Sequence, residues 1–126
     1  MKKILLFILL IQIQFINSQK ILKDYPLSNT IEETSGLEII DNMLITHNDS
    51  GGEPVLYYLN KKGEIVETRK IKGVKNNDWE DVTKDDEFIY VANMGNNFDT
   101  RKNLSIIKIP IKKSLNEKVE LINFLY

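Results

Sequence analysis

The chain of 126 residues carries 17 basic and 18 acidic side chains, a formal net charge of −1, and no cysteine. The balance of charge, without a basic patch or stripe, excludes a nucleic-acid-binding footprint, and the lack of cysteine excludes disulfides. Stability must therefore come from packing or from a bound metal.

Residues 1–19 have the pattern of a secretory signal peptide. Lys2 and Lys3 precede an unbroken apolar run at 4–11, and Ser18 supplies a small residue where cleavage would occur. This run is too short for a transmembrane helix, which needs about 20 apolar residues. We therefore expect cleavage near Ser18 and Gln19, and a mature chain without a transmembrane segment that is secreted, periplasmic or held at the cell surface.

The rest of the chain predicts an all-β domain. Apolar and β-branched segments of strand length are separated by turn residues, and no long helical period is present. A single helical turn is predicted at 114–118, where Ser114 and Glu117 have capping-box spacing. Eight strands are predicted, at 35–40, 43–46, 55–59, 64–71, 79–83, 88–92, 104–109 and 119–126.

The turns between these segments favour antiparallel hairpins. Asp41 and Asn42 form a tight turn between the first two strands, and the turn at 60–63 ends in Gly63, which tolerates positive φ. An acidic turn at 84–87 joins the sixth strand to the fifth. Pro110 removes a backbone donor and limits the strand before it.

The two halves of the chain repeat one pattern. Residues 44–50 align with 90–96 at an offset of 46, and 37–40 align with the neighbourhood of Val82 at a similar offset. A four-stranded unit that repeats about every 40 to 50 residues is typical of a β-propeller blade. We expect residues 20–126 to be the N-terminal part of a propeller, with antiparallel four-stranded blades at about 33–75 and 76–126. The alternative is a meander or sandwich without a repeat.

Two blades are too few to close a ring, because stacked repeats generally need three or more to bury a continuous core. We therefore expect an incomplete ring and a chain that is the front of a longer protein. A self-associating two-blade protein is the alternative. Segments 35–40 and 104–109 are expected to form exposed sheet edges, which invite strand addition.

The blade scheme places the polar motifs at one edge of the sheets, here called the loop face. Strands alternate in direction, so the motifs HNDSG at 47–51, NDWED at 77–81 and NMGNN at 93–97 lie at the same edge, and the plain turns lie at the other. Functional loops on one face of a rigid scaffold are common. The candidate ligand-binding residues are Glu33, Ser35, His47, Asn48, Asp49, Asp78, Trp79, Glu80, Asn93, Asn96 and Arg101.

These motifs also carry a resemblance. ETSGL at 33–37, THNDSG at 46–51, NDWED at 77–81, and NMGNN with Arg101 together resemble the opening motifs of secreted bacterial β-propellers known as SdiA-regulated-like or phytase-esterase-like proteins. The resemblance covers 33–126 and implies further blades after Tyr126. That group usually has aspartates where this chain has Asn93 and Asn96, which removes charge from a metal site.

Calcium is the candidate cofactor. Asp49, Asp78, Glu80 and Asp81 offer hard carboxylate oxygens, which calcium prefers, whereas no cysteine or histidine cluster would suit zinc or copper. The alternative is that these side chains cap turns through nearby backbone groups. Trp79 is expected to pack between the blades, and Asp81 to pair with Arg101 or a backbone amide.

Two functions follow. The first is a secreted binding module whose loop face holds a carbohydrate, a peptide or a phosphorylated small molecule. The alternative is a calcium-assisted phosphoester or carboxylic ester hydrolase that uses His47, Asp78 and Glu80. A nucleophilic triad with Ser35 or Ser50 is least supported, because no Gly-x-Ser-x-Gly elbow is present. The asparagines of the third motif favour binding, since they dilute the charge that a catalytic metal requires.

Overall fold

The computed structural model describes residues 21–114 and 118–124, and every regular element in these ranges is a β-strand. The expected signal peptide at 1–19 and the centre of the expected helical turn at 114–118 lie outside the described residues. In the ranges that the structure covers, no helix has the length and apolar character needed to cross a membrane.

The strands form two four-stranded antiparallel sheets, each in chain order. This arrangement confirms the predicted all-β fold of two propeller-like blades, which within the described residues do not close a ring. The first sheet contains β1 (Thr34–Ile40), β2 (Met43–Asn48), β3 (Val55–Leu59) and β4 (Ile65–Lys70). The second sheet contains β5 (Asp81–Lys84), β6 (Phe88–Asn93), β7 (Leu104–Pro110) and β8 (Glu120–Phe124).

The hairpins form where the turn residues predict them. Asp41 and Asn42 both have positive φ, 49° and 64°, as a two-residue type I′ turn requires. Gly63 has φ 78° and donates its N–H to the carbonyl of Asn60 at 3.0 Å. In the third hairpin Asp85 Oδ1 accepts two backbone N–H groups at 2.7 and 2.8 Å. Local side-chain and backbone chemistry therefore sets the strand order.

The main core lies between the two sheets. One face of each sheet contributes fully buried aliphatic side chains, and Trp79, from the segment that joins the sheets, is also fully buried among them. β1 lies against β5, where the Thr83 hydroxyl donates to Glu38 Oε2 at 3.1 Å. The core aliphatic side chains are Ile40, Ile45, Leu56, Ile71, Val82, Ile89, Val91, Ile107 and Ile109.

The strand register corrects the repeat offset. Leu37 pairs with Thr46 in the first sheet, and Val82 pairs with Val91 in the second, so both strands of the hairpin repeat at 45 residues and the expected 46 is wrong. The difference matters because side chains alternate between the two faces of a strand. At an offset of 45, the outward face of the first sheet, where Leu37 is exposed, corresponds to the face of the second sheet that packs on the first. Both sheets therefore have the same orientation, as successive blades do.

One expected sheet edge is not an edge. β7 lies between β6 and β8, with Ile107 paired to Val91 on one side and to Leu121 on the other, so the exposed edge expected at 104–109 is wrong. The reason is that the last apolar segment pairs with β7 in register over five residues. β1 does lie at the edge of its sheet, as expected for 35–40.

The contact between β1 and β5 requires a glycine at position 36. A Cβ on Gly36 would lie 2.7 Å from the Val82 backbone nitrogen and 2.8 Å from His47 Nε2. We expect Gly36→Ala to lower the free energy of unfolding by about 1–3 kcal/mol, as overpacking does, when measured by urea denaturation. Gly52→Ala is the matched control, since nothing lies within 4 Å of its added Cβ. Equal destabilisation by both changes would contradict this packing.

Candidate functional site

The segment 71–80 joins the sheets and is called here the link. Its backbone is held on both sides: Trp79 N–H donates to the Asp49 carbonyl at 2.9 Å, and Gly95 N–H donates to the Asp78 carbonyl at 3.2 Å. Ser35 Oγ adds a donor to the Trp79 carbonyl at 2.9 Å. The link therefore lies between the loop that follows β2 and the loop that follows β6.

This position brings three acidic side chains together as the carboxylate cluster, which consists of Asp49, Asp78 and Glu80. Each offers an oxygen, and these oxygens all lie within 4.8 Å of one another. Asp49 and Asp78 are half-buried, and Glu80 is exposed. Asp78 and Glu80 share one side of an extended segment because Trp79 between them points into the core.

Asp81, the fourth residue of the expected metal set, is not a member of this cluster. Its Oδ1 accepts the N–H of Val82 at 2.8 Å, so it contacts a backbone amide at the start of β5. The structure thus brings together three of the four carboxylates that the sequence proposed as ligands.

The cluster concentrates negative charge. Burial, and next the neighbouring charge of Asp78, raise the pKa of Asp49. Burial, followed by the charges of Asp49 and Asp78, raises the pKa of Glu80, and Arg101 opposes this rise. Asp49 Oδ1 is buried and has no hydrogen-bond partner within the described part of the chain. These hard oxygens, which repel one another when ionised, suit a divalent cation such as calcium.

Gly95 makes room for the cluster and was not among the residues proposed from the sequence. A Cβ at this position would lie 2.1 Å from Asp78 Oδ2 and 2.5 Å from Glu80 Oε1. Only a residue without a side chain allows both carboxylates to lie against this loop. The signal in the sequence was the glycine inside NMGNN, whose importance depends on a contact that the sequence does not show.

Arg101 fixes the loop after β6. Its guanidinium donates to the carbonyl of Gly95, and to the carbonyl and side-chain oxygen of Asn93, both at 3.2 Å. Asn96 Oδ1 accepts the Arg101 N–H at 2.8 Å. Arg101 therefore holds loop carbonyls and also supplies a positive charge near Glu80.

Asn48 and Asn93 occupy equivalent positions, at the ends of the second strands of the two sheets. Asn48 Oδ1 accepts the Glu32 N–H at 3.0 Å, and Asn93 Oδ1 accepts the Asp78 N–H at 3.4 Å. Each amide thus holds the segment that leads into the first strand of its own sheet. This contact gives both asparagines a role in positioning the loops.

His47 lies beneath the loop face. Its side chain and that of Trp79 are fully buried, and the rings form a T-shaped contact with centroids 5.6 Å apart. Nδ1 lies 3.1 Å from the Asn48 carbonyl, which fits an Nδ1–H donor. Burial lowers the pKa of His47, so the ring is neutral at physiological pH. Neither ring presents surface to a ligand.

The two remaining candidates lie at the start of the first sheet. Glu33 has φ 51°, and its carbonyl accepts the Asp49 N–H at 3.2 Å. Ser35 is exposed, and its hydroxyl contacts the link as described above. Both residues therefore lie next to the loops that carry the cluster.

Comparisons with protein-family models, with curated proteins and with solved structures found no match for this chain. The resemblance to secreted bacterial propellers therefore stays an expectation from the sequence. The description of the fold and of the site depends on the geometry above.

The raised pKa values predict a pH dependence of stability. A carboxyl whose pKa is higher in the folded state destabilises the fold as pH rises from the ordinary carboxyl pKa through the raised one, and the loss stays constant above that range. We expect Asp49→Asn to lose less free energy of unfolding than the wild type across this window, in urea denaturation at a series of pH values with a chelator present.

Asp86→Asn is the control, since Asp86 is exposed on the turn at the opposite edge of the second sheet. This variant should keep the wild-type pH dependence. A wild-type slope in Asp49→Asn would show that the cluster does not carry the repulsion.

Proposed function

We propose that the chain is part of a secreted β-propeller module that binds Ca²⁺ through the carboxylate cluster and uses the loop face to bind an oxygen-rich ligand. The observation that carries this proposal is the convergence of Asp49, Asp78 and Glu80, whose oxygens lie within 4.8 Å of one another. The signal-peptide pattern at 1–19 and the resemblance of the loop motifs support the secreted setting.

The spacing of the oxygens fits calcium. Calcium binds oxygen at about 2.3–2.6 Å, so ligands on opposite sides of one ion lie about 4.6–5.2 Å apart. The cluster oxygens are within this reach without a change of backbone. Three carboxylates leave positions in a shell of about 6 to 8 ligands for water or for oxygens of a bound molecule.

Electrostatics supports the same conclusion. The raised pKa values of Asp49 and Glu80 mean that their ionised forms are disfavoured in the apo protein. A divalent cation would reverse this effect, because its charge attracts all three carboxylates. Extracellular calcium modules typically have dissociation constants on the order of 0.1–1 mM, and a partly exposed site with three carboxylates fits that class.

The hydrolase alternative has weaker support. Two of its three catalytic candidates, Asp78 and Glu80, belong to the carboxylate cluster. The third, His47, is enclosed between Trp79 and Gly36 and has no exposed surface. A general base must come within hydrogen-bond distance of the proton it removes, directly or through one water. Ligand binding is therefore the function that the geometry supports best.

Calcium titration tests the proposal. We expect one ion to bind the full chain in calorimetry, with a dissociation constant on the order of 0.1–1 mM, and binding to fall at least tenfold in Asp78→Asn. Calcium at ten times its dissociation constant should also add about 1.4 kcal/mol to the free energy of unfolding.

Asp86→Asn removes the same charge at the opposite edge of the sheet, so it should bind calcium as the wild type does. Equal binding by wild type and Asp78→Asn would place the ion elsewhere. Absence of binding by the wild type at millimolar calcium would refute the proposal.

A further inference from the structure

The loop after β6 exposes an aromatic ring that neither folding nor cation binding uses. Phe98 is 87% exposed, which is unusual for a large apolar side chain. The loop beneath it is closed: Asn96 Oδ1 accepts the Arg101 N–H at 2.8 Å, and the Asn96 carbonyl accepts the Asp99 N–H at 3.0 Å. Asp99 completes the turn with φ 52°. The ring is therefore presented by a loop with a fixed base.

A cavity of about 300 Å³ lies between Phe98 and the carboxylate cluster. Its volume is at the lower end of the range for small-molecule sites, roughly 300–1,000 Å³. Asp78 lines this cavity and also belongs to the cluster, so the two sites share a side chain. The other polar side chains that the ligand would meet include Ser50, Asn77, Asn97 and Thr100.

The lining matches a neutral polyhydroxylated ligand. Hydroxyl and amide side chains both donate and accept hydrogen bonds, and a carboxylate accepts them, as sugar hydroxyls require. The negative face of an aromatic ring attracts the weakly positive C–H groups on the apolar face of a sugar ring. One aromatic ring beside a wall of small polar groups provides both contacts.

A phosphorylated ligand fits less well. The three carboxylates would repel it, and the nearest cation, the Arg101 guanidinium, already donates to the carbonyls of Asn93 and Gly95. A larger cleft of about 590 Å³ lies along Asn77 and β7, but neither an aromatic ring nor a carboxylate is among its described lining residues. The cavity at Phe98 therefore combines the features of a sugar site better.

We propose that this cavity is a subsite for one neutral sugar unit, whose apolar face lies on Phe98 and whose hydroxyls contact Asp78 and its polar neighbours. The proposal rests on the proposed function, because a sugar bound there lies next to the open coordination positions of the calcium ion. Calcium and sugar are then bound cooperatively through Asp78, which contributes to both.

The test uses the full chain with a panel of methyl glycosides of glucose, galactose, mannose and N-acetylglucosamine, followed by saturation-transfer NMR with calcium and with a chelator. We expect at least one glycoside to bind, and to bind more weakly with the chelator. Phe98→Ala should weaken binding about tenfold, in line with the contribution of one aromatic contact, while Phe98→Tyr should retain it. Tyr25→Ala, which removes an exposed aromatic ring from the N-terminal segment, should bind as the wild type does.

The possible outcomes separate this proposal from the calcium proposal. Calcium binding by the wild type without binding of any glycoside would refute the sugar subsite and leave the cation site intact. Equal glycoside affinity in Phe98→Ala and wild type would place the sugar elsewhere. Preference for glucose 6-phosphate or for an unglycosylated peptide over every glycoside would replace the ligand class. Because Phe98 is exposed, its substitution should leave the circular dichroism spectrum and calcium affinity unchanged.

Discussion

The burial of Trp79 between the two sheets is the interaction on which the site depends. The indole ring is fully buried in the shared core, and its backbone N–H and carbonyl are hydrogen-bonded to Asp49 and Ser35 of the first sheet and its loops. Burying a tryptophan stabilises a fold by several kcal/mol, about 3–5 by truncation to alanine. Since neighbours on an extended segment point the opposite way, the same burial forces Asp78 and Glu80 outward. Core packing thus supplies the free energy that holds three carboxylates together against their repulsion.

Much of the fold was predictable because its determinants are local. Asp41, Asn42, Gly63 and Asp85 specify their turns through their own backbone conformations and hydrogen bonds, so the strand order follows from the sequence. The register was less accessible. An overlay of polar motifs gave an offset of 46, whereas the paired strands repeat at 45, because loop residues after the strands do not align with the residues inside them. The pairing of β8 with β7 also depends on a contact across a long connection, which local signals do not reveal.

The loop face was predictable for a geometric reason, and its internal arrangement was not. Alternating strand directions bring the motifs to one edge in any antiparallel sheet, which places Asp49 and Asp78 near each other. Which side chains meet is decided by packing. His47 was a candidate because histidine is versatile, yet it lies beneath Trp79, and Gly95 was overlooked because its role is to leave space. Phe98 was overlooked because an apolar residue in a loop gives no sign from sequence alone of whether it is buried.

The seam between the sheets keeps polar atoms that folding alone does not require. Within the described part of the chain, His47 Nε2, Asp49 Oδ1, Asn76 Oδ1 and Trp79 Nε1 are buried without hydrogen-bond partners, and each such atom typically costs about 1–3 kcal/mol. Departures of this kind from the rules of stable packing concentrate at functional sites. A cation at the cluster would give Asp49 Oδ1 a partner and would attract Asp78 and Glu80, which lie on either side of Trp79. Ligand binding would then strengthen the same contacts that hold the link to both loops, so that function and stability at this face are coupled.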